Sequence, residues 1–256
     1  MPVITLTTDF GSRDGYVGAM KGVLVRLLRP APVWATTTIV DLAHDVPRGD
    51  IAHAAWVVAT ACREFPDQSI HIVVVDPGVG GARHGVVVDA GGSYYVGPDN
   101  GVFGYLEPQW ARAIENLTVM AGEVSATFHG RDVFATVAAA LARNVDPTAI
   151  GSRVTLAGAL PWGPRPAGEG RIVHVDHYGN LISDLPRDEA GAAVAIAGRR
   201  LPIVKTYEDV APGNLLAYVG SARTIEIAVR DGRADRVLEA PRGTAVVPVL
   251  EGTEFR

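Results

Sequence analysis

Residues 70–83 read IHIVVVDPGVGGAR, and this stretch decides the fold class. Residues 70–75 are mostly β-branched and apolar, the pattern of a fully buried strand. The run passes straight into Asp76-Pro77-Gly78-Val79-Gly80-Gly81. Pro77 pushes Asp76 toward extended geometry, and the glycines let the backbone turn sharply or approach a ligand closely. A carboxylate at the mouth of a buried strand, with Arg83 beyond a glycine loop, stands where open α/β sheets place chemistry. A second reading stays open: Asp is a favoured turn residue, and Asp76 can serve only to cap the turn.

The neighbouring segments follow the same grammar. Residues 3–8, VITLTT, form a strand pattern ending at Asp9-Phe10-Gly11, and residues 16–28 repeat apolar side chains at helical spacing. Residues 33–40 predict a second strand ending at Asp41, and the alanine-rich residues 49–62 a helix. Residues 86–89 and 94–96 flank Gly91-Gly92 as a hairpin. Residues 130–143 give the clearest helix, with Val133, Phe134, Val137, Ala138 and Leu141 on one face. This alternation predicts a layered α/β domain over residues 1–156. Proline and glycine crowd residues 157–169, which read as a linker. Residues 170–256 then show short strand patterns at 171–175, 180–182, 193–196, 201–204, 215–219, 224–229 and 244–249, with one weak helix at 233–238. They predict an all-β, barrel-like or sandwich domain.

Composition narrows the class. A chain of 256 residues is long enough for two domains with ample core. Its 23 basic against 28 acidic residues offer neither a nucleic-acid surface nor a polybasic membrane patch. Cys62 is the single cysteine, which excludes internal disulfides and Cys-based zinc sites. No apolar run approaches the roughly 20 residues that span a bilayer, and MPVITLTTDF lacks the marks of a signal peptide. The expectation is a soluble, cytoplasmic protein that binds neither nucleic acid nor membrane.

Three predicted strands end on carboxylates: Asp9, Asp41 and Asp76. Asp14 follows just ahead of a helix, where Asp is also a good N-cap. Such a cluster suits a divalent metal, as in a metal-dependent phosphohydrolase, or substrate hydroxyls and an ammonium group. His129, in TFHGRDVF, precedes the clearest helix. The helix dipole there disfavours imidazolium, so the ring stays neutral and can bond or deprotonate water, although capping or packing is the default role. The other histidines show no HxxxH or HxH metal spacing. Asp99 and Asn100 read as turn residues first. In the β domain, residues 176–180, DHYGN, read by default as a hairpin turn, with Tyr178 offering a stacking face beside the Asn180 amide. Residues 220–223, GSAR, and Glu226 form a second polar patch. No GxGxxG, P-loop or GxSxG motif occurs.

In order along the chain, ITLTTDFGSRDGYVGAMKG, VVVDPGVGGAR, VGPDNGVF, TFHGRDVF, DHYGNLISDL and GSARTIEIAV resemble the S-adenosyl-L-methionine (SAM) hydroxide adenosyltransferases. These SAM hydrolases are relatives of the bacterial fluorinase and chlorinase, and the resemblance spans nearly the whole chain. It implies an N-terminal α/β domain, a β-barrel-like C-terminal domain, and a homotrimer with active sites at subunit interfaces. It further implies hydrolysis of SAM to adenosine and L-methionine by attack of water on ribose C5′, with no cofactor and no metal. Asp76, Arg83 and His129 match the Asp-Arg-His set of the hydrolase branch. Asp9 matches the carboxylate that binds the ribose hydroxyls, and Asp14 and Asp176 match acids near the methionine ammonium. Phe128 and Tyr178 match walls of the adenine pocket, and Asn180 the amide reading its edge. Ser221 matches a serine near the methionine carboxylate, and Glu226 stands where the family usually has glutamate. Arg48 replaces a frequent aromatic, Tyr16 replaces the halogenases' small hydroxyl, and Arg223 lies one place from their arginine. The alternatives are a SAM-dependent halogenase and a non-catalytic adenosine- or SAM-binding protein.

Overall fold

The computed structural model describes residues 2–116 and 123–249, so residues 1, 117–122 and 250–256 of the two expected domains lie outside the described part. The chain divides into two compact units, Met1–Leu160 and Pro161–Arg256.

The first unit is built on a seven-stranded mixed sheet. Its strands are β1 (Val3–Thr8), β2 (Thr38–Ala43), β3 (Ile70–Val74), β4 (Gly85–Ala90), β5 (Ser93–Pro98), β6 (Trp110–Ala113) and β7 (Arg153–Val154), in the spatial order β2-β1-β3-β5-β4-β6-β7. The four strands from β2 to β5 run parallel, and β4, β6 and β7 continue antiparallel. Helix α1 (Tyr16–Leu28) buries the stripe Val17, Met20, Val23, Leu24 and Leu28 expected from its spacing. Helix α2 (Ile51–Ala61) starts two residues later than its alanine pattern suggests, because the Asp50 side chain caps it by accepting from the His53 N–H at 3.0 Å. Residues 130–143 divide into a π-helical turn, Gly130–Phe134, and helix α3 (Ala135–Ala142), every residue of which is buried.

The period-two alternation of β3 sorts its side chains between two cores. Ile70, Ile72 and Val74 pack with α1 and α3, while Val73 and Val75 pack with Ala54 and Val58 of α2. That explains a run apolar except for the buried His71: a central parallel strand buries both faces. Two expectations are corrected. Residues 32–36 form a 3-10 turn rather than a strand, since Pro32 sets its first position, and β2 begins at Thr38, opposite Val3. Asp41 therefore lies inside β2, not at its end.

The second unit is a closed barrel. Its strands are β8 (Gly170–Val175), β9 (Leu181–Pro186), β10 (Ala193–Ile196), β11 (Arg199–Val204), β12 (Leu215–Val219), β13 (Thr224–Val229) and β14 (Ala245–Val249), ordered β10-β11-β12-β13-β9-β8-β14. Pairing of β14 with β10 removes the sheet edges. The inward positions Ile172, Leu181, Val194, Ala217, Ile225 and Ile227 are buried together in its core. Among the described residues no helix is long and apolar enough to cross a membrane.

Candidate active site

In the first unit the chain leaves β1 for β2 on one side, while β3 lies on the other side of β1. The C-terminal ends of β1 and β3 thus flank a topological switch point, where open α/β sheets form a crevice. Asp9 follows β1 directly, and Asp76 lies two residues past β3. The exit of β3 is fixed by Asn100, whose Nδ2 donates to the Val75 carbonyl at 2.9 Å.

Asp76, Arg83 and His129 are brought together. The Arg83 Nε donates to Asp76 Oδ1 at 3.1 Å, and a terminal guanidinium nitrogen donates to Oδ2. That same nitrogen lies 2.9 Å from His129 Nδ1. The side chains of Arg83 and Asp76 are only 13% and 4% exposed, so the pair is shielded from water. Turn capping is therefore not what the Asp76 carboxylate does. The loop can reach His129 because Gly80, at φ +76°, lies so close to Ala126 that a Cβ would sit 2.4 Å from its carbonyl oxygen. Burial holds the His129 pKa below its ordinary value, and the Arg83 charge acts the same way against Asp76 and Asp132. An arginine has only donors to offer, so Nδ1 is the acceptor and the neutral ring carries its proton on Nε2.

The segment before His129 is tied by a pair that sequence reasoning passed over. Arg131 holds Asp132 through contacts of 2.6 and 2.8 Å, and Asp132 accepts from the Ser125 N–H at 2.9 Å. The Arg131 guanidinium lies 4.9 Å from the centroid of Phe128. Phe128 also meets Phe10 and Tyr16 edge-on, at centroid distances of 5.9 and 5.4 Å. Asp9 accepts from the Gly49 N–H at 2.8 Å, and Gly49 packs against Pro77, so the Asp9 and Asp76 loops adjoin. Asp14 is exposed beside this cluster; helix α1 is capped at Gly15 without any side-chain bond, so Asp14 is not its N-cap. Asp41 does not converge with Asp9 and Asp76, being bound to Lys21 and His44. Among the described residues no group of three or more His, Cys, Asp or Glu is placed to hold a metal ion.

The second unit carries the remaining candidates. Asp176 accepts from both the backbone and the side-chain nitrogen of Asn180, each at 2.8 Å, across the turn after β8. The Asn180 amide oxygen is thereby turned away from Asp176. Tyr178 stands at the tip of that turn, 73% exposed. Glu226 is buried, and the Tyr218 hydroxyl donates to it while Tyr207 donates to Tyr218 at 2.9 Å. Burial raises the Glu226 pKa; the Tyr218 bond opposes this and the charge of Asp176 adds to it. Gly220 makes the arrangement possible, since any Cβ there would overlap the Glu226 carboxylate. Tyr218 went unremarked in the sequence, although Tyr218 and Glu226 face each other across the β12–β13 pair. Ser221 lies exposed in the turn between those strands.

Comparison with known proteins gives this constellation a family. Residues 4–151 match the SAM hydroxide adenosyltransferase N-terminal domain, and residues 170–247 match the C-terminal domain. An (R)-S-adenosyl-L-methionine hydrolase of Thermus thermophilus is 39% identical over 96% of this chain and 99% of its own length. An uncharacterized conserved protein of Thermotoga maritima superposes with a TM-score of 0.83 at 31% identity, covering 95% of this chain and 98% of the other. A fluorinase of an Actinoplanes species is more distant, at 24% identity over 89% of this chain and 90% of its own. With both domain matches in sequence order and hydrolase relatives aligned nearly end to end, the chain belongs to the SAM hydroxide adenosyltransferase family.

Proposed function

We propose that the protein is an enzyme that hydrolyses S-adenosyl-L-methionine to adenosine and L-methionine, water attacking ribose C5′ as neutral methionine leaves its sulfonium. The observation that carries the reading is a single guanidinium, Arg83, bonded to both Asp76 and His129 Nδ1.

The proton inventory supports one division of roles. His129 Nδ1 is taken by Arg83 and Nε2 holds a proton, so the ring has no free lone pair for a proton from water. It donates to the water oxygen instead. Asp76, held by both nitrogens of one arginine, still has a lone pair on each oxygen and is the acceptor. Water so held presents its remaining lone pair to C5′ and passes its proton to Asp76 as the C–O bond forms. The sulfonium departs without acid assistance, so positioning supplies much of the acceleration, on the order of 7 kcal/mol or more.

In this reading Asp9 takes the ribose hydroxyls on the oxygen that Gly49 leaves open, and Asp14 and Asp176 take the methionine ammonium. Phe128 and Tyr178 wall the adenine, and Asn180 presents its amide oxygen to the adenine amino group. Ser221 meets the methionine carboxylate, and Glu226 supports the barrel side of the pocket. The catalytic set lies in residues 1–156, a layered α/β domain with α1 and α3 covering one sheet face and α2 the other. Residues 157–169 link it to the pocket-completing domain, residues 170–256. The assembly is a homotrimer with interfacial sites, and its place of work is the cytoplasm.

The test is chromatography of SAM incubated with pure protein in H2(18)O. Adenosine labelled at its 5′ oxygen, with equimolar L-methionine, is expected. A 5′-halo-adenosine formed in chloride or fluoride would convert the assignment to a halogenase, and SAM bound but unchanged would reduce it to a binding protein.

A further inference from the structure

We propose that His44 is a positioning residue for the ribose-binding loop, acting through Thr8 on Asp9 and Phe10. The inference rests on the reading that Asp9 holds the ribose.

The four side chains form one chain of contacts across β1, β2 and α1. Lys21 Nζ donates to Asp41 Oδ2 at 2.6 Å, His44 Nε2 lies 2.9 Å from Asp41 Oδ1, and His44 Nδ1 lies 2.9 Å from Thr8 Oγ1. Regular strand geometry would not allow this, because residues three apart in a strand point to opposite faces. The pairing of β1 with β2 shifts between Leu6↔Asp41 and Thr7↔Ala43, leaving one extra residue in β2. The bulge returns His44 to the face of Asp41 and sets it beside Thr8. Asp41 shares the face of Leu6, which packs in the core containing α1, and so meets Lys21.

The polarity of the chain follows from its ends. A carboxylate bonded to an ammonium is an acceptor only, so His44 Nε2 is the donor, and in that tautomer Nδ1 accepts from the Thr8 hydroxyl. The Thr8 oxygen is then free to accept, and the Phe10 N–H donates to it at 3.3 Å. Thr8 is completely buried, so without His44 its hydroxyl proton has no water to turn to. Two backbone N–H groups lock the same two loops: the Gly11 N–H donates to the His44 carbonyl and the Gly49 N–H to the Asp9 carboxylate, both at 2.8 Å. His44 therefore grips both the residue before Asp9 and the second residue after it, without itself facing the reacting atoms.

The test combines steady-state SAM hydrolysis with calorimetric titration of adenosine and of L-methionine. For His44→Ala, the KM for SAM and the Kd for adenosine should rise about tenfold, with kcat within about threefold and methionine affinity unchanged. His44→Asn should recover most of the loss, because its amide oxygen still accepts from Thr8. Thr8→Val, which deletes the hydroxyl at nearly constant volume, should reproduce His44→Ala and decides the matter where that variant fails to fold. In an Asp9→Ala background, His44→Ala should cost nothing further in adenosine affinity. Wild-type adenosine affinity in both His44→Ala and Thr8→Val, or a loss that persists in full without Asp9, overturns the proposal. Failure of the wild-type protein to bind adenosine or SAM would instead strike the ribose-site reading, and the positioning role with it.

Discussion

Replacing Asp76 by Asn keeps the shape of the side chain and removes only its charge. The carboxylate is 4% exposed and Arg83 13%, so the variant leaves a guanidinium facing a neutral amide in a place water scarcely reaches. Removing one partner of a buried ion pair costs about 3–5 kcal/mol, and the retained amide oxygen returns part of this, leaving about 2–3 kcal/mol of lost stability. Catalysis should suffer more. An amide oxygen can orient water but cannot take its proton, and losing a positioned base costs roughly 100- to 10,000-fold in kcat, or about 3–5 kcal/mol of barrier. Neither substrate charge nor ribose contact is touched, so KM should stay within about threefold. The assay is chromatographic release of adenosine under saturating and limiting SAM, with urea unfolding on the same preparation. A folded Asp76→Asn enzyme with kcat within about threefold of wild type would refute the role given to this carboxylate.

His129 gives the converse expectation. Its depressed pKa means that activity is level above the ordinary value of 6.5 and falls at lower pH, where a second ring N–H would confront Arg83. Stability tied to the ring follows the same sign, present above about 6.5 and lost as pH falls through the depressed value. His129→Gln, which can donate from the Nε2 position, should keep activity within about tenfold at pH 8 and show no acid limb from this group; inactivity with wild-type SAM affinity would make His129 the base instead. Gly80→Ala should lose about 1–2 kcal/mol from φ +76° alone, besides the clash with Ala126, and should lower kcat by shifting His129; an active, stable variant would disprove that contact. Glu226, whose pKa burial raises, opposes folding as pH climbs above about 4.5, because the unfolded carboxyl ionises first. Glu226→Gln should therefore gain Tm relative to wild type between pH 4 and pH 7, and an unchanged difference would contradict the assignment.

What was legible in the sequence was whatever local pattern decides. Residues 16–28 place their apolar side chains at helical spacing and form α1 over that span. The run at residues 70–75 names a strand buried on both faces, because only such a strand can afford no polar residue toward solvent. Boundaries that depend on a partner were not legible. The apolar residues 33–36 look like strand, but the register starts where Val3 finds Thr38, a contact made across the sheet. The strands Trp110–Ala113 and Arg153–Val154 are too short to announce themselves and exist because the free edge of β4 needs pairing.

The site divides the same way. Asp76 and Arg83 are seven residues apart on one glycine loop, so their pairing lies within reach of sequence reasoning. His129 is 46 residues beyond Arg83 and reaches it only because Gly80 lets two backbones touch at Ala126. In the proposed mechanism that meeting, more than the residue types, sets the roles. A histidine ahead of a helix with nothing at Nδ1 keeps a lone pair and can serve as a base. The same histidine with an arginine at Nδ1 keeps its proton on Nε2 and can only donate. In the proposed mechanism the nearby carboxylate then receives the proton of the attacking water, and the proposed division of labour between Asp76 and His129 follows from which atoms Arg83 occupies.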